Sequence, residues 1–204
     1  MAEQLNTIEL METCNAARRL KRDAVPQELL EKVIYAATRA PSPGNSQGWD
    51  FVVVRDAGLK KKIRDLIAPP IEAMFATINP GAKMNRMLEG AKHLVKSLHE
   101  APALIFVCGP VCYPPQAPQE SFVWSALYPA TQNLLVAARS LGLGTTMTTF
   151  QMVAEKEIRE LLGMPPDIKF AAMVPIGWPE QPFERVKRKP MNKVIHWDKW
   201  SAQS

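Results

Sequence analysis

Apolar residues along this chain follow two rhythms, one of helices and one of strands. Leu29, Leu30, Val33, Ile34, Ala37 and Ala40 recur at helical spacing behind Pro26, which suits the first position of a helix. Further helices are predicted over 3–16, with Leu5, Ile8 and Glu9 to Met11 on the inner face, and over 57–68, 122–141 and 153–162. Strands are predicted over 49–55, 103–108, 145–149 and 170–176. The unbroken runs Phe51-Val52-Val53-Val54 and Ala103-Leu104-Ile105-Phe106-Val107-Cys108 read as strands buried on both faces. In the helix over 122–141, Ala130, Leu134, Ala137, Ala138 and Leu141 let another helix approach closely. That helix is therefore the centre of the fold or a dimer interface. Gly142-Leu143-Gly144 closes it.

The breaks between these elements carry as much information. Ala40-Pro41-Ser42-Pro43-Gly44-Asn45-Ser46-Gln47-Gly48-Trp49 stops one helix and precedes a strand. Its backbone amides and the side chains of Ser42, Asn45, Ser46 and Gln47 must find partners outside regular structure. Such a loop seats a flat polar ligand or simply joins two elements, and both readings stand. Pro69-Pro70 and Asn79-Pro80-Gly81 interrupt the stretch 69–100, which holds Met74, Phe75, Met84, Met87, Leu88, Leu94 and Leu98. Methionine-rich surface suits a lid over a variable substrate, and it fills core gaps equally well. A proline-rich excursion occupies 109–120. The tail, 177–204, has little helical period yet carries Trp178, Trp197 and Trp200, so it is expected to pack on this subunit or a neighbour.

The 204 residues fit one domain with a full core, and 47% hydrophobic with 22% charged content places it among globular chains. The net charge of +5 is scattered over several clusters without a recognition motif, which argues against a nucleic-acid partner and leaves room for a small anion. No basic segment followed by an apolar run opens the chain, and no run spans a bilayer, so a cytoplasmic protein without membrane partners is expected. Cys14, Cys108 and Cys112 lack metal-ligand spacing and read as reduced, with no metal. Gly142-x-Gly144 lacks the third glycine of a dinucleotide fingerprint and follows a helix. Phosphate-loop and Gly-x-Ser-x-Gly motifs are missing, and His93, His99 and His196 are the only histidines. Thin acid–base machinery points to a cofactor that carries the chemistry.

Four separated segments together resemble the FMN-dependent nitroreductase family. They are 18–26 (Arg-Arg-Leu-Lys-Arg-Asp-Ala-Val-Pro), the 40–49 loop, 128–144 (Tyr-Pro-Ala-Thr-Gln-Asn through Leu-Gly-Leu-Gly) and 186–190 (Val-Lys-Arg-Lys-Pro). Each alone is a weak signal; their order and spacing make a strong one. The resemblance implies an α+β fold with a central, mostly antiparallel sheet flanked by helices. It also implies a C-terminal arm exchanged within a homodimer, with two FMN molecules at the interface. By position, Arg18 lies near the N1–C2=O edge of the flavin and stabilises its reduced anion, an electrostatic role. Ser42 and Pro43 contact the ring or ribityl chain, and Asn45 and Gln47 the polar edge. Met147, Thr148 and Thr149 belong to the segment approaching N5, with Thr149 beside the reacting atom. Arg188, with Lys187 or Lys189, holds the phosphate. The implied reaction is ping-pong: NADH or NADPH reduces the flavin, and a small electrophile such as a nitroaromatic or quinone reoxidises it.

Two departures stand out. The family's arginine pair and serine are replaced by Cys14-Asn15-Ala16, a loss of about 1–3 kcal/mol for each missing charge-assisted bond to the cofactor. Gly48 replaces the proline usual before the tryptophan, which predicts a more flexible loop. Alternatives on the same scaffold are a dehalogenase, a benzimidazole synthase, an ene reductase or a flavin-binding protein without turnover. The lid lacks an evident acidic, tyrosine and lysine clamp, which disfavours dehalogenation.

Overall fold

The computed structural model describes residues 6–78 and 82–200 and, of 82–84, only the backbone. Four strands form one antiparallel sheet in the order β1 (Asp50–Val54), β2 (Ala103–Pro110), β4 (Ile168–Gly177), β3 (Gly144–Thr145). Side chains alternate across it. Ala103, Ile105 and Val107 of β2 meet α2 (Gln27–Ala37) and α5 (Glu120–Ser140) on one face. Leu104, Phe106 and Cys108 meet α3 (Ala57–Ala76), α4 (Ala82–Ser97) and α6 (Glu155–Leu162) on the other. The register shifts between Val107 and Cys108, which pair with Ala172 and Phe170, so Ala171 of β4 is the extra residue there. Helix, sheet, helix: the result is the α+β architecture expected, with the sheet at its centre.

Burial on both faces holds for β2 and β4 but not for β1. Phe51, Val52 and Val53 are only half-buried, because β1 is an edge strand with one neighbour. The long helix α5 does lie at the centre, with Ala130, Leu134 and Ala138 fully buried against α2 and the sheet. Gly142 ends it at φ 76, and the Leu143 amide returns to the Ala138 carbonyl at 2.8 Å.

Three expectations are corrected. Pro69 and Pro70 do not break the chain; both lie inside α3, which runs on to Ala76. Ile63, Ile67, Ala68, Ile71 and Phe75 form a continuous buried face across that point, and this packing outweighs the lost amides. The strand expected over 145–149 shrinks to Gly144–Thr145 and one bridge from Thr148 to Met173. The first helix, α1 (Thr7–Thr13), is shorter than 3–16 and buries no residue; Ile8 and Met11 of its intended inner face are 64% and 48% exposed. Asn6 and Glu9 close its start as a reciprocal capping pair.

The 69–100 stretch divides. Phe75, Leu88, Leu94 and Leu98 are core, while Met74 and Met87 are exposed. The Asn79-Pro80-Gly81 break and the Met84 side chain lie outside the described residues, as does Leu5. The start of the tail packs on its own subunit: Trp178 Nε1 donates to the Ala24 carbonyl, and the Val186 amide donates to the Glu12 carbonyl. From Lys187 to Val194 every side chain is exposed, and Trp197 and Trp200 are 82% and 88% exposed. Among the described residues, no helix is long and apolar enough to cross a membrane.

Candidate functional site

The segment 14–20 follows the outer edge of β3. Ala16 bridges Thr145 in parallel, the Ala17 amide donates to the Thr145 carbonyl at 2.9 Å, and Thr146 Oγ1 donates to the Ala17 carbonyl at 2.7 Å. Farther along, the Lys21 amide donates to the Trp178 carbonyl and the Glu180 amide to the Arg19 carbonyl. Gly144 makes this approach possible, since a Cβ there would stand 2.7 Å from that of Ala17. A rigid ledge results.

Opposite the ledge, α4 and residues 179–184 close a cleft of ≈ 560 Å³. Asn15, Ala16 and Arg18 form one wall, Met87 and Gly90 come from α4, and Phe183 from the arm. Arg18 is half-buried, and burial draws its pKa below the ordinary guanidinium value. Neighbouring cations are engaged: Arg19 Nη1 donates to His93 Nδ1 at 3.2 Å, and Arg22 pairs with Glu100 at 2.6 Å. Arg18 has no hydrogen bond or ion pair among the described residues. Its stem lies on the bare backbone of Gly90, where a Cβ would come within 3.1 Å of Arg18 Cδ. A partly desolvated cation without a partner is costly, and such groups gather where a ligand supplies the opposite charge. Arg86 and Glu184 approach to 3.7 Å across the mouth of the cleft.

The 40–49 loop forms a separate feature. Ser42 Oγ accepts from the Gln47 amide at 3.0 Å, and a 3-10 turn spans Pro43–Asn45. Gly44, Asn45 and Gln47 have φ of 58, 51 and 50. Asparagine tolerates the left-handed region, but Gln47 is held there at a cost of about 1–3 kcal/mol. Asn45 and Gln47 line a second cavity of ≈ 300 Å³ with Thr38, Arg39 and Trp49. Arg18 and these loop residues, expected to share one site, thus line different cavities of a single chain. Gly48 is buried; a Cβ there would stand 2.6 Å from Cys112 Sγ, and its carbonyl lies against Gly109.

Other expected site residues are scattered. Thr148 is buried, with its amide and its Oγ1 both donating to the Met173 carbonyl at 3.0 Å, so neither hydrogen remains for a ligand. Met147 and Thr149, on the opposite side of that extended segment, are exposed. Arg188 is exposed, and among the described residues it donates to the carbonyl of Lys187 alone. Cys14 is half-buried, which raises its thiol pKa against a lowering by Arg139. Gly90 and Phe183 escaped sequence reasoning, although an isolated glycine within a helical pattern was a usable sign for the first.

Comparison with known proteins converges on one family. The nitroreductase family model matches residues 14–178. NADH dehydrogenase of Thermus thermophilus is 27% identical over 200 residues, covering 88% of this chain and 90% of that protein. Human iodotyrosine deiodinase 1 is 30% identical over 193 residues, covering 92% of this chain and 66% of the deiodinase. A crystal structure of iodotyrosine deiodinase bound to FMN and 3-iodo-L-tyrosine superposes with a TM-score of 0.78 at 25% identity, over 96% of this chain and all of that one. With ledge, loop and sheet in the matched order, the chain belongs to the nitroreductase family.

Proposed function

We propose that this chain is the single-domain subunit of a homodimeric, cytoplasmic FMN oxidoreductase. Its reductant is NADH or NADPH, and its acceptor is a small electrophile such as a nitroaromatic or quinone. The observation that carries the reading is Arg18: a half-buried cation, without a partner among the described residues, on the wall of a ≈ 560 Å³ cleft. That volume suits a cofactor with substrate beside it. The residues present fit a flat, anionic flavin, with a cation on the ledge, the polar side chain of Asn15 and the apolar surfaces of Met87 and Phe183. The flavin, when bound, supplies the redox chemistry. Arg18 supplies a fixed positive charge that favours the anionic reduced form over the neutral oxidised one. Asn45 and Gln47, in their own cavity, are positioned for the cofactor of a second subunit. Three free thiols accord with a reducing compartment.

The test is a visible absorption spectrum of the purified protein, followed by anaerobic NADH or NADPH. A flavin spectrum that bleaches supports the oxidoreductase. A bound flavin that never bleaches overturns it in favour of a binder. A second reading, reductive dehalogenation, draws on the likeness to iodotyrosine deiodinase. Against it, the α4 residues lining the cleft are Arg86, Met87, Glu89 and Gly90, with no tyrosine among them. Halide release from an iodophenol by the reduced protein would favour it.

A further inference from the structure

Cys14, Asn15 and Ala16 bring no positive charge to their end of the ledge, but a cation from another element reaches it. Arg139 stands in the last turn of α5, where the partial negative charge of the helix end favours it. Its Nε donates to Thr13 Oγ1 at 3.0 Å, and its guanidinium lies 3.9 Å from the ring centroid of Phe183, a residue of the cleft wall. Thr13 Oγ1 in turn donates to the Glu9 carbonyl at 2.7 Å, so the anchor is itself fixed. Arg139 also acts electrostatically on the neighbouring Cys14 thiol. The next cation, Arg185, is neutralised by Glu12 at 3.0 Å. No carboxylate pairs with Arg139 among the described residues, and its two terminal nitrogens make no hydrogen bond there. A guanidinium fixed through Nε and stacked on a ring keeps a two-pronged edge available, the geometry that matches phosphate.

We infer that Arg139 is the phosphate-binding cation of this site, supplied from the end of α5 in place of arginines absent at Cys14 and Asn15. The inference rests on the flavin reading above and adds a ligand contact from a helix outside the ledge and arm. Neither arginine is a lining residue of the cleft, but Arg139 borders it through Phe183, whereas Arg188 is exposed and is then secondary.

FMN and riboflavin differ only in the phosphate, so titrating each into flavin-free protein and following flavin fluorescence isolates the contact. Wild type should prefer FMN. Arg139→Met should weaken FMN about tenfold to a hundredfold and leave riboflavin unchanged. Cys14→Arg added to Arg139→Met should restore the preference by returning a cation to the same place. Because Arg139 also braces Phe183 and Thr13, Arg139→Gln is the gentler companion: it keeps a planar donor and loses the charge, and should show the same selective loss. An FMN preference retained in either folded variant, or FMN and riboflavin weakened equally, overturns the inference. Wild type that binds riboflavin as tightly as FMN overturns it too, while leaving the flavin reading intact. Binding of neither flavin overturns both.

Discussion

The interior of this molecule and its rim are built to different standards. Apolar side chains of β2 and β4 fill both faces of the sheet, and even the Cys108 thiol is buried, which pushes its pKa up to about 12. At the rim, Ile8, Met11, Trp197 and Trp200 stand exposed, Arg18 lacks a counter-charge among the described residues, and the loop and ledge face different cavities. The interior is complete within one chain. The rim leaves apolar surface exposed and one half-buried cation without a counter-charge among the described residues, as the proposed dimer and cofactor require.

The largest test of that contrast removes the tail's aromatic surface. A tryptophan buries about 200 Å² when covered, worth about 5 kcal/mol. Replacing Trp197 and Trp200 with serine should weaken self-association at least about a thousandfold in sedimentation, with no loss of secondary structure. A variant that stays as associated as the wild type would mean the tail is not what completes the rim. Next comes the interior. A Cβ at Gly109 would strike the Gly48 backbone and come within 3.2 Å of Leu127. Gly109→Ala should therefore cost about 3 kcal/mol, a fall of roughly 6–12 °C in melting temperature. A shift under a degree would show that the crossing yields more easily than the core around it. The smallest effect on stability belongs to Arg18→Met. Since nothing among the described residues pairs with the guanidinium, unfolding by denaturant should move by less than about 0.5 kcal/mol, or toward greater stability. The same variant should bind reduced flavin markedly less well than oxidised. A large loss of stability would reveal Arg18 as a structural residue and break the contrast at its centre.

Sequence reasoning fared differently in these two regions for a physical reason. Runs such as Ala103-Leu104-Ile105-Phe106-Val107-Cys108 announce burial because local pattern and tertiary packing agree there. Phe51-Val52-Val53-Val54 carries the same pattern yet lies at an edge, since strand order is not written in the strand itself. Pro69 and Pro70 misled for a related reason: two prolines argue locally against a helix that a continuous buried face maintains. At the site, the Arg18 ledge could be anticipated from its motif. The burial of Thr148 and the close contact of Gly48 with Gly109 depend on segments about 25 and 60 residues away, and no local signal encodes them. Arg139 was visible only as a basic residue in the last turn of a helix. Its nearness to Cys14 comes from the fold alone.

The ledge has one more consequence. β3 is two residues long and ends the sheet, so its outer backbone groups would be open to strands from other molecules. Ala16 and Ala17 occupy that position by pairing with Thr145 and Thr146. The same few residues therefore shield the sheet from edge-to-edge aggregation and form a wall of the cleft. Local opening of the wall would uncover a template for misassembly, and a ligand that stiffens it would act on the protein's solubility as well as its chemistry.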